Sequence, residues 1–260
     1  MCNMSEYGKR KDMRSEVYNI DCMEYMRTLP DKTFQLAIAD PPYGIGADKP
    51  ARKPCMVKQR NGTYLRSPRN DYARKDWDAA IPTQSFFDEL IRVSERQIIW
   101  GANYFGLIGG MIVWDKLNGD SDQFGCEIAW KSFDIRTDIV HYMWHGMFQG
   151  DVCSTDINKA IRQQGNKALN EKRIHPTQKP TLLYAWLLNQ YASIGDTIFD
   201  PMMGSQSCRV AAYKLGLDFV GCELDKDYFI AGCERFDNEC KGEYILPNGR
   251  RYKQLSLFEL

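Results

Sequence analysis

The chain has 260 residues, and Lys plus Arg equal Asp plus Glu at 34 each, so its formal net charge is zero. That length is enough for one large domain with a sizeable core, and the even balance excludes a globally basic nucleic-acid binder, leaving local patches to meet any such partner. The nine cysteines (2, 22, 55, 126, 153, 208, 222, 233 and 240) form no C-x-x-C pair and have no His at ligand spacing, against a disulfide framework and a zinc site; with no apolar run near the ~18 residues of a membrane span, the reading is a soluble, cytoplasmic protein.

In chain order, "VYNI" (17–20) reads as a short strand, and "CMEYMRTLP" as one or two helical turns stopped at Pro30. "FQLAIA" (34–39) reads as a buried strand. From Gly44 to about Asp78 no period is visible, and residues 47–80 hold nine basic side chains against four Asp, a basic loop insertion. "TQSFFDELIRVSER" (83–96) has helical spacing, and "QIIW" and "MIVW" are short apolar strands. "EIAWKS" (127–132) and "DIVHYMW" (138–144) alternate and are expected to pair as a hairpin. Residues 150–175 again lack a period. A helix, "PTLLYAWLLNQYA", follows with Pro180 in its first turn. "TIFD", "CRVAAYKLG" and "FVGCELD" form a βαβ unit, and a last amphipathic helix covers about 227–240. Strands alternating with helices predict an α/β fold with a mostly parallel sheet in a single domain, 1–260.

Three stretches carry chemistry. The strand 34–39 runs directly into Asp40-Pro41-Pro42-Tyr43. The prolines fix φ, remove two donors and keep the preceding residues extended. The Asp40 carboxylate and the Pro41 carbonyl then make a stiff two-acceptor clamp for an –NH2 group, with Tyr43 as a flat face for a base. In "TIFDPMMGSQSCRVAAYKLGLDFVGCELD" a strand ends at Asp200, a tight turn holds Gly204 and Ser205, and the next strand ends at Glu223. That is the logic of a nucleotide-type site, although the lack of G-x-G-x-x-G makes a dinucleotide pyrophosphate a poor fit. The third stretch is "IHPTQKP" (174–180), placed just before the helix that leads into this unit.

Together these residues resemble the S-adenosylmethionine-dependent amino-methyltransferases of DNA. With the Asp-Pro-Pro-Tyr motif near the N-terminus and the Gly turn near the C-terminus, the order resembles the permuted β-class. "IIWGANYF", "VWDK", "EIAWKSF" and "RIHPTQKP" are similar to its compact phage and prophage members, and the resemblance spans residues 17–236. It implies a circularly permuted Rossmann-like sheet of about seven strands, one antiparallel. By the same resemblance Asp40, Pro41, Pro42 and Tyr43 hold the target base. Asp200, Pro201, Met203, Gly204, Ser205 and Gln206 wrap the methionine end of the cofactor, Glu223 its ribose, and Asp21 with Cys22 its adenine. Lys179 opens the helix that flanks the methionine part. The chain departs from the family's Asp-Pro-Phe-x-Gly-Ser-Gly: Met202 replaces Phe, and Gln206 replaces a Gly at a position that asks for φ > 0 or close approach.

The resemblance implies transfer of a methyl group to the 6-amino group of adenine in a flipped-out base, since Asp at position 40 is commoner in adenine enzymes. A cytosine 4-amino or RNA methyltransferase, and a catalytically weak DNA- or clamp-bound relative, are the alternatives. Double-stranded DNA is expected to meet Lys49, Arg52, Lys53, Lys58 and Arg60 in the basic insertion, and Lys159, Arg162, Lys172 and Arg173 in a short target-recognition region, 145–175. In the tail 250–260, Gln254, Leu255, Leu257 and Phe258 match the short peptide by which bacterial proteins dock on the replication sliding clamp.

Overall fold

The structure, a computed structural model, describes residues 13–47, 56–58, 62–66, 75–119, 124–145, 148–240, 243–245 and 251–253. Its strands are β1 (Ser15–Tyr18), β2 (Phe34–Ala39), β3 (Met56–Lys58), β4 (Tyr64–Arg66), β5 (Ser94–Trp100), β6 (Gly110–Asp115), β7 (Cys126–Lys131), β8 (Thr137–His141), β9 (Trp144–His145), β10 (Phe148–Gln149), β11 (Thr197–Asp200), β12 (Asp218–Cys222), β13 (Glu243–Ile245) and β14 (Arg251–Lys253). The helices are α1 (Cys22–Arg27), α2 (Gln84–Val93), α3 (Ala102–Phe105), α4 (Ile157–Ala160), α5 (Thr181–Tyr191), α6 (Ser207–Lys214) and α7 (Lys226–Cys240).

Eight strands form one sheet in the order β1-β12-β11-β2-β5-β7-β6-β8. Only β7 runs antiparallel to its neighbours in it. The period of two in each strand sends alternate side chains to opposite faces. Leu36 and Ile38 of β2, with Ile98 and Trp100 of β5, pack in a cluster that takes in Leu183 and Leu187 of α5 and Ala211 of α6. Ala37 and Ala39, with Ile99, face Met26 of α1 and Phe86 and Leu90 of α2. Helices therefore cover both faces, which is why these strands read as nearly continuous apolar runs. The result is a Rossmann-like α/β sheet, with eight strands where about seven were expected.

Three expectations are corrected. Segments 127–132 and 138–144 do not pair as a hairpin: β7 slots between β5 and β6, and β8 pairs in parallel with the far side of β6. The helix expected over 83–96 ends at Val93, and Ser94 already pairs with Phe34 in the sheet. Pro180 is the N-cap of α5, extended at φ −72 and ψ 146, rather than a residue of its first turn. Within the aperiodic stretches the structure forms the short ladder β3–β4 and, further on, α4 and one 3-10 turn, Lys167–Leu169. The seven described cysteines are free thiols.

Candidate active site

β11 and β2 are neighbours, yet the chain leaves them in opposite directions: β11 leads through α6 to β12, and β2 through α2 to β5. Such a switch point leaves a crevice beyond the carboxyl ends of the strands. Asp40 follows β2 there, Asp200 ends β11, Glu223 follows β12, and Asp21, beyond β1, caps α1 by accepting from the Met23 amide at 2.7 Å. The turn after β11 is held open by Gly204 at φ +50, which L side chains rarely adopt. Glu223 fixes that turn: its carboxylate accepts from the Gly204 amide at 2.7 Å and from the Asp225 amide at 2.8 Å.

A cavity of about 660 Å³ opens over this turn, within the usual range for small-molecule sites. Asp21, Cys22, Pro201, Met203, Gly204, Ser205, Glu223 and Lys179 line it, together with Asp40 and Pro42. Two residues expected with them lie elsewhere. Asp200 is sunk beneath the turn, accepting from the Met202 amide at 3.1 Å, and burial pushes its carboxyl well above the ordinary range. Gln206 does have a positive φ, +60, but its fully buried side chain turns away into the seam between α6 and α7. There it donates to the Phe229 carbonyl at 3.2 Å and accepts from Arg209 at 2.8 Å. The substitution for glycine thus leaves the cavity wall clear.

A second cavity, of about 580 Å³, lies beyond Asp40 and is lined by Pro41, Pro42, Tyr43, Tyr104, Lys116, Glu127, Trp144 and Arg173 among others. Where the two meet, Lys179 is almost wholly buried. Its ammonium donates to Asp40 Oδ1 and, at 2.9 Å, to the Tyr43 hydroxyl, and pairs with Glu127 at 3.0 Å. The Tyr43 hydroxyl in turn donates to the same Asp40 oxygen at 2.7 Å. Glu127 takes a second cation, Lys116, at 2.5 Å. Burial pushes the Glu127 carboxyl up, but Lys179 and Lys116 outweigh it and hold the group down at about 2. Burial also pushes Asp40 up; Lys179 opposes it, Glu127 adds to it, and the balance lies above the ordinary value. Burial disfavours the charge on Lys179, but Asp40 and Glu127 together hold it protonated.

Lys179 therefore sits at the clamp as well as in the cavity where it was expected. Glu127 and Lys116 were missed: they lie within "EIAWKSF" and "VWDK", and no local spacing links them to Asp40. Tyr43 is also less open than expected. Its ring stacks on Tyr104 with centroids 4.8 Å apart and planes at 14°, and a Cβ on Gly101 would lie 2.4 Å from it. A base stacking on the face that Tyr104 covers must displace Tyr104.

Residues 75–78 strap the two cavities together. Lys75 pairs with Asp225 at 2.8 Å and Asp227 at 2.6 Å. Asp78, 1% exposed, accepts from the Gly44 and Ala47 amides at 2.8 and 2.7 Å. Trp77 lines both cavities, and its buried Nε1 has no hydrogen-bond partner among the described residues. A buried donor seldom stays unpaired. This orphan, the carboxylates of Asp21, Glu223 and Asp225, and the rings of Phe86, His175 and Tyr228 fit a polar, partly aromatic, cationic small molecule in the first cavity.

Of the residues expected on DNA, Lys159, Arg162 and Lys172 are exposed, and Arg173 lies over the Trp144 ring at 4.3 Å. Lys49, Arg52, Lys53 and Arg60 lie outside the described residues, as do Gln254, Leu255, Leu257 and Phe258; Lys58 is placed only as part of β3. Among the described residues no helix is long and apolar enough to cross a membrane, and no His, Cys, Asp and Glu group is set to hold a metal.

The DNA methylase family designated N6_N4_Mtase matches residues 113–232, a little under half of the chain. The chain is 24% identical over 231 residues to YubD of Escherichia coli (strain K12), named as a methylase, with 83% of this chain and 87% of YubD covered. It is 22% identical over 261 residues to the type II methyltransferase M2.MboI of Moraxella bovis, with 88% and 90% covered. Among solved structures, the M1.HpyAVI–SAM complex matches at a TM-score of 0.48 and 18% identity, covering 85% of this chain and 98% of that one. The family match and the sequence relatives support a DNA methyltransferase.

Proposed function

We infer that this chain is a DNA methyltransferase that uses S-adenosylmethionine and acts on the 6-amino group of adenine. One observation carries the reading: the cavity over the Gly204 turn and the cavity beside Tyr43 share Asp40, Pro42, Trp77, Thr177, Gln178 and Lys179. A methyl donor in the first and an extruded base in the second meet at Asp40. Glu223 would hold the ribose, Asp21 and Cys22 the adenine, and the Pro201–Ser205 turn the methionine end. When bound, S-adenosylmethionine supplies a methyl group activated on a sulfonium.

The chain's own residues do the rest. Pro41 and Pro42 hold the clamp extended, so the Asp40 carboxylate and the Pro41 carbonyl accept together from the target amine. Those hydrogen bonds favour a pyramidal nitrogen and stabilise the positive charge that develops on it. The amine proton leaves through Asp40 or water. Asp rather than Ser at position 40 favours adenine over the cytosine 4-amino group. The permuted β-class reading is supported by strand order: the Gly-turn unit β11–α6–β12 comes late in the chain, yet stands in the sheet between β1 and β2. Phosphates of double-stranded DNA would meet Lys159, Arg162, Lys172 and Arg173 together with the basic insertion. For the tail, deletion of 254–260 should abolish capture of a bacterial sliding clamp, and unchanged capture removes that idea.

The test is incubation of plasmid DNA with methyl-labelled S-adenosylmethionine, followed by mapping of the modified bases. The expected product is 6-methyladenine, lost in Asp40→Ala while cofactor binding is largely kept. Label confined to cytosine shifts the reading to the 4-amino group, and no label on DNA rejects it.

A further inference from the structure

Four charged side chains alternate in sign from the boundary of the two cavities into the second: Asp40, Lys179, Glu127 and Lys116. They come from four places in the fold, namely the ends of β2 and β6, the body of β7 and the entry to α5. An ammonium has three donors, and Lys179 has three acceptors around it: Asp40 Oδ1, the Tyr43 hydroxyl and Glu127 Oε2. Asp40 Oδ1 is thereby taken up by Lys179 and Tyr43, and no hydrogen bond to Oδ2 is seen among the described residues.

An ammonium beside Asp40 favours the ionised carboxylate against the burial that pushes it up, which suits an acceptor. Left alone, however, it would oppose a nearby amine that gains positive charge on alkylation. Glu127 offsets that charge, and Lys116 offsets Glu127, so the four together are neutral. We propose that Glu127 is a positioning residue for the transfer, a role that depends on methyl transfer being the reaction. It holds the Lys179 ammonium on Oδ1 of Asp40, which leaves Oδ2 to the target amine, and Lys116 is its counter-ion. Tyr43 after β2, Tyr184 on α5, Asp200 at the end of β11 and His175 before α5 also face this cluster. Glu127 also raises Tyr43 and Tyr184, so the reading rests on the opposite signs of the two single variants and on their cancellation in the double variant.

The test compares Glu127→Gln, Lys116→Met and the double variant by steady-state DNA methylation across pH, with S-adenosylmethionine affinity by calorimetry. Glu127→Gln should lower kcat about tenfold or more. Cofactor Kd should stay within about twofold, because Glu127 lines the second cavity and not the first. Removing a negative charge favours ionised Asp40, so the acid limb of the pH–kcat profile moves to lower pH. Lys116→Met removes a positive charge and should move the acid limb to higher pH. The double variant should return towards the wild-type profile. Shifts in the same direction, or a loss of kcat with no shift, overturn the proposal. Circular dichroism identifies a variant that does not fold; Lys116→Met alone then decides, and an unmoved profile sinks the idea. A wild-type protein that transfers no methyl group rejects the methyl-transfer reading itself, whereas an active wild type with unshifted variants rejects only the role of Glu127.

Discussion

A Cβ on Gly232 would stand 2.6 Å from Nε2 of Gln206: the glutamine side chain fills the space that the glycine leaves open in α7. Gly232→Ala should therefore destabilise the fold by about 1–3 kcal/mol through overpacking, read from urea denaturation. Cofactor affinity should hardly change, because neither residue lines the cavity. In a Gln206→Gly background the same alanine should cost clearly less, since the atoms it meets are gone. Equal costs in the two backgrounds would show that the pair does not interlock.

This seam also marks the limit of what the sequence reveals. The Asp-Pro-Pro-Tyr edge and the Gly204 turn were legible because each is a local consequence of backbone chemistry, and Glu223 because an acid ends the strand that follows the turn. A strand meets a proline pair, or a turn needs φ > 0. Gln206 looked like a defect in that turn because its compensation, a glycine 26 positions later, lies on another helix. Glu127 and Lys116 escaped for the same reason. On β7 the glutamate is one polar residue in an alternating strand, and only the insertion of β7 between β5 and β6 brings it to Lys179. That insertion also undid the expected hairpin, since alternation fixes which face a side chain takes but not which strand lies beside it.

His175 supplies a pH signature. Its ring packs on Tyr228 at 4.3 Å and Trp77 at 5.0 Å, and its Nδ1 accepts from the Thr177 amide at 3.3 Å. Burial, with the Lys179 charge nearby, pushes its pKa from 6.5 down to about 4. The folded pKa lies below the unfolded one, so between those values the unfolded chain binds the extra proton. Stability owed to this group is complete above pH 6.5 and falls as pH drops towards 4, then levels off, with a slope of up to about 1.4 kcal/mol per pH unit. His175→Gln should lack that component. Parallel stability–pH curves for the two proteins would show that the ring titrates normally.

The strap through Trp77 should couple the two cavities. Asp78 has both carboxylate oxygens committed to the amides of Gly44 and Ala47. Asp78→Ala leaves both donors without their acceptor, at a cost of about 1–3 kcal/mol. Because Trp77 next door lines both cavities, cofactor Kd and the KM for DNA should rise together. Asp78→Asn, which keeps one good acceptor, should fall between. Lower stability with both binding constants unchanged would leave Asp78 as a loop anchor alone.

The basic side chains of the 150–175 stretch should separate by salt dependence. Arg162 and Lys159 are exposed, and among the described residues Lys159 pairs only with Asp156, at 3.7 Å. If each meets one phosphate, replacing either by Ala should weaken binding to all sequences alike and lower the slope of log K against log salt by about 0.9. Arg173 differs: its guanidinium lies 4.3 Å from the Trp144 ring centroid, in the wall of the second cavity. If the second cavity takes the target base, Arg173→Ala should act on more than ionic strength, lowering kcat as well as binding. Fluorescence anisotropy with a fixed duplex over a salt series, paired with single-turnover methylation, separates the two kinds. A slope unchanged in Lys159→Ala and Arg162→Ala would take this stretch off the DNA, and a kcat unchanged in Arg173→Ala would leave that residue without a part in holding the target base.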